Sequence, residues 1–175
     1  MKGITTILLI IGLSSFHTTV FGQTMVKQGE PLLPVIFQLG EFEVQMDQEA
    51  MVHNTQLLTA CEFDIEMAYG KWISMIKEME AYSKRINFDI NGVKVWLNVF
   101  YEKNGQIGHI GYYLKPNSRN LDRDEFAAFL KSFVNNYTFP HTYKEPFSHY
   151  GSAAFPTAAY ETPTRVDTSS AGKGN

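Results

Sequence analysis

Residues 93–114 read VKVWLNVFYEKNGQIGHIGYYL. Two runs of β-branched and aromatic residues flank Asn104-Gly105, a pair that favours a tight hairpin turn. A two-residue loop of the I′ type places Lys103 opposite Gln106, and the pairing steps outward from there. One face then carries Val99 with Ile110, Leu97 with Tyr112 and Val95 with Leu114, which is an ordinary core face. The other carries Phe100 with His109, Asn98 with Gly111 and Trp96 with Tyr113. Neither face is polar, although an antiparallel sheet commonly turns one face to water. The second face is therefore either an internal layer or a binding surface.

Upstream, Leu58, Cys61, Ile65, Ala68, Trp72, Met75, Met79, Tyr82 and Ile86 recur at alternating spacings of three and four. That spacing predicts one apolar stripe of an α-helix, strongest over Asp64 to Ile86, with a break near Asp64. Met67, Met75 and Met79 read as core filler. Gly70, a poor helix former, reads as a point of close contact, and Glu78 and Glu80 read as a solvated face. His53-Asn54-Thr55 offers capping residues for the start of this helix. Phe42 to Val52 has few breakers and reads as weakly helical. Downstream, Asp122 and Glu125 have capping-box spacing. Phe126, Phe129, Leu130, Phe133 and Val134 supply the buried stripe of the helix they open. Phe147 to Phe155 reads as a final strand. The predicted fold is thus α+β: helix, antiparallel β-hairpin, helix and final strand, with a partly helical lead-in.

The first residues lead us to expect export by a cleavable signal peptide, to the periplasm or beyond the cell. Lys2 precedes an apolar run from Ile4 to Leu13. That run is shorter than the roughly 20 residues a membrane-spanning helix needs. Val20-Phe21-Gly22 suits signal peptidase. Residues 1–22 are expected to be a cleaved signal peptide, 23–54 a lead-in packing on the domain, 55–156 the α+β domain and 157–175 a disordered Thr/Ser/Gly/Ala-rich tail. Cys61 is the single cysteine, so an internal disulfide is impossible and the residue reads as a small buried apolar group. A net charge of −3, with Lys and Arg scattered, argues against nucleic acid as a partner. Stable membrane insertion of the mature chain is not expected either.

Catalytic and metal motifs are missing from this pattern. His53, His109, His141 and His149 lie in no HExxH, HxH or CxxC arrangement. Ser148 and His149 are adjacent, so on a strand they point to opposite faces. Ser83 and Ser132 lie on helices without a nucleophile elbow. Neither an enzyme nor a cofactor is expected. Two loops draw attention instead. The segment LKPNSRNLD carries Lys115 and Arg119 among polar donors, as either a capped connection or a small site. The segment NYTFPHTYKEPFSHYG gathers aromatic residues around two prolines.

The run from Ile90 to Phe133, INGVKVWLNVFYEKNGQIGHIGYYLKPNSRNLDRDEFAAFLKSF, resembles the C-terminal domain of TonB-type energy transducers. The matching residues are Gly92, Val93, Val95, Val99, Gly105, Leu121, Asp122 and Phe126. The chain departs from that family in lacking a long proline-rich spacer and a recognisable Tyr-Pro motif, and its leader reads as cleaved. The resemblance implies a small α+β domain that binds an envelope protein or peptide through a sheet face or edge; the departures argue against energy transduction. The expected binding residues are Trp96, Asn98, Phe100, His109, Tyr113, Tyr143 and Tyr150. A second reading curls the sheet into a cystatin-like or nuclear-transport-factor-like cone, with Trp96, Phe100, His109 and Tyr113 lining a pocket for a small ligand, and this alternative leaves room for an enzymatic activity. In a third, the Pro31-to-Val52 segment covers the second face and no ligand is involved.

Overall fold

The computed structural model describes residues 32–157. The expected signal peptide, the start of the lead-in and the tail beyond Thr157 lie outside the described residues. The elements in order are β1 (Ile36–Gln38), α1 (Glu43–Val52), β2 (Thr55–Gln56), α2 (Leu57–Ala60), α3 (Ile65–Arg85), β3 (Lys94–Tyr101), β4 (Ile107–Leu114), α4 (Arg123–Asn136) and β5 (Phe147–Ala154). The fold is α+β. Among the described residues no helix is long and apolar enough to cross a membrane.

One sheet of order β1-β4-β3-β5-β2 organises the molecule. The long strands β4 and β5 flank β3 antiparallel, and the short β1 and β2 join the outer sides in parallel. Alternation along β3 sends Val95, Leu97, Val99 and Tyr101 to one face, where all four are fully buried. That inner face carries the helical layer. Trp72 of α3 packs on His149 of β5 with ring centroids 4.5 Å apart. Tyr101 donates its hydroxyl to the Met75 sulfur at 3.2 Å, and Phe126 of α4 meets Tyr112 edge-on at 5.5 Å. The two helices touch through Tyr82, whose hydroxyl lies 2.6 Å from Ser132 Oγ.

Local signals set the helix starts. Asp64 caps α3 by accepting the Met67 N–H, and Asp122 caps α4 by accepting those of Asp124 and Glu125. The long apolar stripe holds only inside α3, where Ala68, Trp72, Met75, Met79 and Tyr82 are buried. The expected break is real: Glu62 and Phe63 take φ of 56° and 63° and separate α2 from α3. Leu58, Ile65 and Ile86, expected in the core, are at least a third exposed, and Met67 is exposed too. Ile73 and Ile76 fill the inner surface instead. Gly70 makes no close contact, since a Cβ there would meet nothing within 4 Å. Glu80 is not solvated but buried. Nor does His53-Asn54-Thr55 open a helix: His53 ends α1, and Thr55 pairs with Phe147 in β2.

The hairpin keeps its predicted pairing from Phe100–His109 outward by a different route. Gly105, at φ 83°, donates to the Glu102 carbonyl, and Glu102 N–H bonds to Gln106. The loop therefore holds three residues, Lys103 to Gly105, and not two. Left alone this would slip the register by one. Tyr101 pairs with Ile107 while Phe100 pairs with His109, so Gly108 bulges out and restores it.

Candidate interaction surface

The outer face of the sheet is divided into a closed half and an open half. Residues 39–54 cross it from β1 at one edge to β2 at the other. Phe37 points outward from β1 over Gly111, where a Cβ would come within 2.8 Å of the Phe37 ring. Phe42 closes against Phe37 edge-on at 6.2 Å. At the far end His53 lies edge-on to Phe100 at 5.4 Å, and its carbonyl accepts the Ser148 hydroxyl at 2.9 Å. Phe37, Phe100 and His53 are each no more than 3% exposed, whereas no residue of α1 itself is buried. The crossing segment is thus a strap fixed at its two ends. Burying the two phenylalanines contributes about 1.5–3 kcal/mol each. His53 Nδ1 lies 3.0 Å from a Glu49 carboxylate oxygen. Its buried Nε2 has no hydrogen-bond partner among the described residues, with Glu102 at 3.8 Å.

Beyond the strap the face is open. Trp96, Tyr113 and Tyr150 are 36%, 50% and 54% exposed. Trp96 pairs directly with Tyr113 across β3 and β4, while Tyr150 reaches it diagonally from β5. The Trp96 and Tyr150 rings are parallel within 5°, with centroids 5.4 Å apart. Lys115, approaching from the β4 side, sets its ammonium 4.1 Å from the Trp96 ring centroid, a contact worth about 0.5–1 kcal/mol at an exposed site. Half-buried Asn98 adds an amide between Gly111 and Tyr150. The result is a patch of three aromatic rings, one cation and one amide.

The structure therefore brings Trp96, Asn98, Tyr113 and Tyr150 together. It places Phe100 under the strap and ties His109 beside it, with Nδ1 2.9 Å from the Pro34 carbonyl oxygen. Trp96 and Tyr113 thus share no common environment with Phe100 and His109. Tyr143 lies elsewhere, packed against the core cluster, with its N–H donated to the Lys103 carbonyl. Lys115 is the residue missed as a member of the patch. Its signal was present, since it stands two residues beyond Tyr113 and so shares its face.

The polar groups of the LKPNSRNLD segment and the Cys61–His141 pair are tied into the fold. Ser118 accepts the Lys94 N–H at 3.0 Å, and Arg119 pairs with the Asp89 carboxylate and carbonyl, so the LKPNSRNLD segment acts as a tied connection. Cys61 lies 4.0 Å from His141 Nε2, but that nitrogen is 2.9 Å from the Ala60 carbonyl. Burial also pushes the Cys61 thiol up, against thiolate formation. Burial lowers the His149 pKa. Among the described residues no group of His, Cys, Asp and Glu is arranged to hold a metal ion. No family model, curated protein or solved structure matches the chain.

Proposed function

We propose that this chain is an exported, non-enzymatic binding module of the bacterial envelope that captures a partner protein or peptide on the open half of its sheet. The observation that carries this reading is the stack of Lys115, Trp96 and Tyr150 with Tyr113 beside it. Trp and Tyr dominate the energetic centres of protein interfaces. Here they stand on a sheet, and Trp96 is already stacked, so little side-chain freedom is lost on binding. Trp96 is approached from both neighbouring strands, which leaves its ring faces poorly placed to stack on a sugar or a base. A protein surface meeting the ring edges and Tyr113 fits better. The leader read in residues 1–22 supports the envelope setting, and the hairpin–helix resemblance to TonB-type domains supports peptide capture.

The test is site-specific photo-crosslinking in the native cell, with benzoylphenylalanine at position 113 and, as a control, at exposed Lys131 on α4. A discrete adduct from position 113 that disappears with Trp96→Ala is expected. The reading fails if position 113 gives no adduct, or if Lys131 gives the same one.

A further inference from the structure

The corner between α2 and α3 carries a second group of exposed apolar side chains, belonging to the helical layer. Residues 61–69 read CEFDIEMAY. Phe63 and Ile65 are 70% and 71% exposed, and Met67 and Tyr69 are also exposed. The turn is held by its backbone: Phe63 N–H donates to the Leu58 carbonyl at 2.8 Å, and Asp64 N–H to that of Cys61 at 2.9 Å. Phe63 sits in the left-handed region at φ 63°, where a bulky residue is strained. Gly or Asn would make this turn at lower cost. The Phe63 side chain thus serves neither the turn nor the core.

Its surroundings define what it fits. On α3, Ile65 and Tyr69 share a face that Glu66 flanks, while Met67 lies on the other side of the helix; Glu62 and Asp64 bracket Phe63 in the turn. Asp64 is engaged as the α3 cap. Among the described residues Glu62 and Glu66 form no ion pair within 4.0 Å. We infer that this corner is a docking knob for a second protein, whose receiving surface is an apolar pocket rimmed by Lys or Arg. A lipid surface fits poorly, because three carboxylates would meet anionic headgroups. A second copy of this chain fits poorly too, because a two-fold contact would set the same carboxylates against one another. The inference is independent of the open sheet face.

Two measurements on the full-length chain test it. First, Phe63→Gly relieves the left-handed strain and removes an exposed ring. Its Tm is expected to stay level or rise; a fall of several degrees would show that Phe63 is a structural residue and overturn the proposal. Second, benzoylphenylalanine at position 63 is crosslinked in the native cell, and the attached peptide is sequenced. The expected adduct is a different protein, joined at a segment with Lys or Arg beside apolar residues. That protein, once purified, is expected to bind Phe63→Gly and the Glu62→Lys, Glu66→Lys double variant at least about tenfold more weakly. No adduct, an adduct with lipid or with this chain itself, an acidic contact segment, or unchanged affinity would each contradict the proposal.

Discussion

Glu80 shows how one carboxylate ties the end of the described chain to the helical layer. Its side chain accepts the Thr157 N–H at 2.7 Å and the Thr157 hydroxyl, and pairs with Lys84 at 2.7 Å. Burial by itself would raise its pKa, but the hydrogen bonds from Lys84 and Thr157 outweigh that and bring it down to about 2. A carboxyl whose folded pKa lies below its unfolded value stabilises the fold fully above the unfolded value. The contribution is then lost as pH falls from about 4.5 towards about 2. Glu80→Gln is therefore expected to cost roughly 2 kcal/mol at pH 7 and to flatten the decline in stability between pH 4.5 and 3. Urea unfolding at both ends of that range measures it; an undiminished acid decline would contradict the assignment. This role was illegible in the sequence. Glu80 sits in a charged stretch of α3, and its partner Thr157 is 77 residues away.

At the scale of elements, two glycines predict opposite outcomes for the same substitution. Gly105 turns the hairpin at φ 83°, and a Cβ there would lie 2.3 Å from the Phe139 carbonyl oxygen. Gly105→Ala is expected to destabilise by more than about 2 kcal/mol. Gly70 lies exposed inside α3 with nothing within 4 Å, so Gly70→Ala is expected to stabilise by about 0.5–1 kcal/mol. Parallel denaturant titrations decide both, and equal effects would contradict the account. The same elements mark how far the sequence could be read. Which residues of β3 and β4 share a face was legible from strict alternation, whereas the pairing of Trp96 with Tyr113 came out right only because the extra loop residue and the bulge cancel. The loop length was not legible, because the Gly108 bulge compensates for it. β1 and β2, three and two residues long, are too short to carry a period. They are strands only because β4 and β5 offer them edges. α1 was legible as a helix, but its path across the outer face depends on Phe37, Phe42 and His53, which no local pattern connects.

For the whole molecule, the decisive feature is that one apolar sheet face is divided between two uses. The strap makes half of it an internal layer and leaves the other half outward. The division predicts unequal costs for similar truncations. Phe100→Ala, beneath the strap, is expected to cost about 3–5 kcal/mol. Tyr113→Ala, at a half-exposed position, is expected to cost about 1 kcal/mol, and Trp96→Ala, at 36% exposure, about 1–2 kcal/mol. Comparable losses at all three positions would mean that the open half is covered in the full-length chain. The most direct measurement is acrylamide quenching of tryptophan fluorescence in full-length Trp72→Phe and Trp96→Phe, each first shown to be folded by circular dichroism. Trp96 alone should be strongly quenched and Trp72 alone, 5% exposed, should be shielded. If Trp96 proves as shielded as Trp72, the outer face is closed along its whole length and the account of an open aromatic surface is wrong.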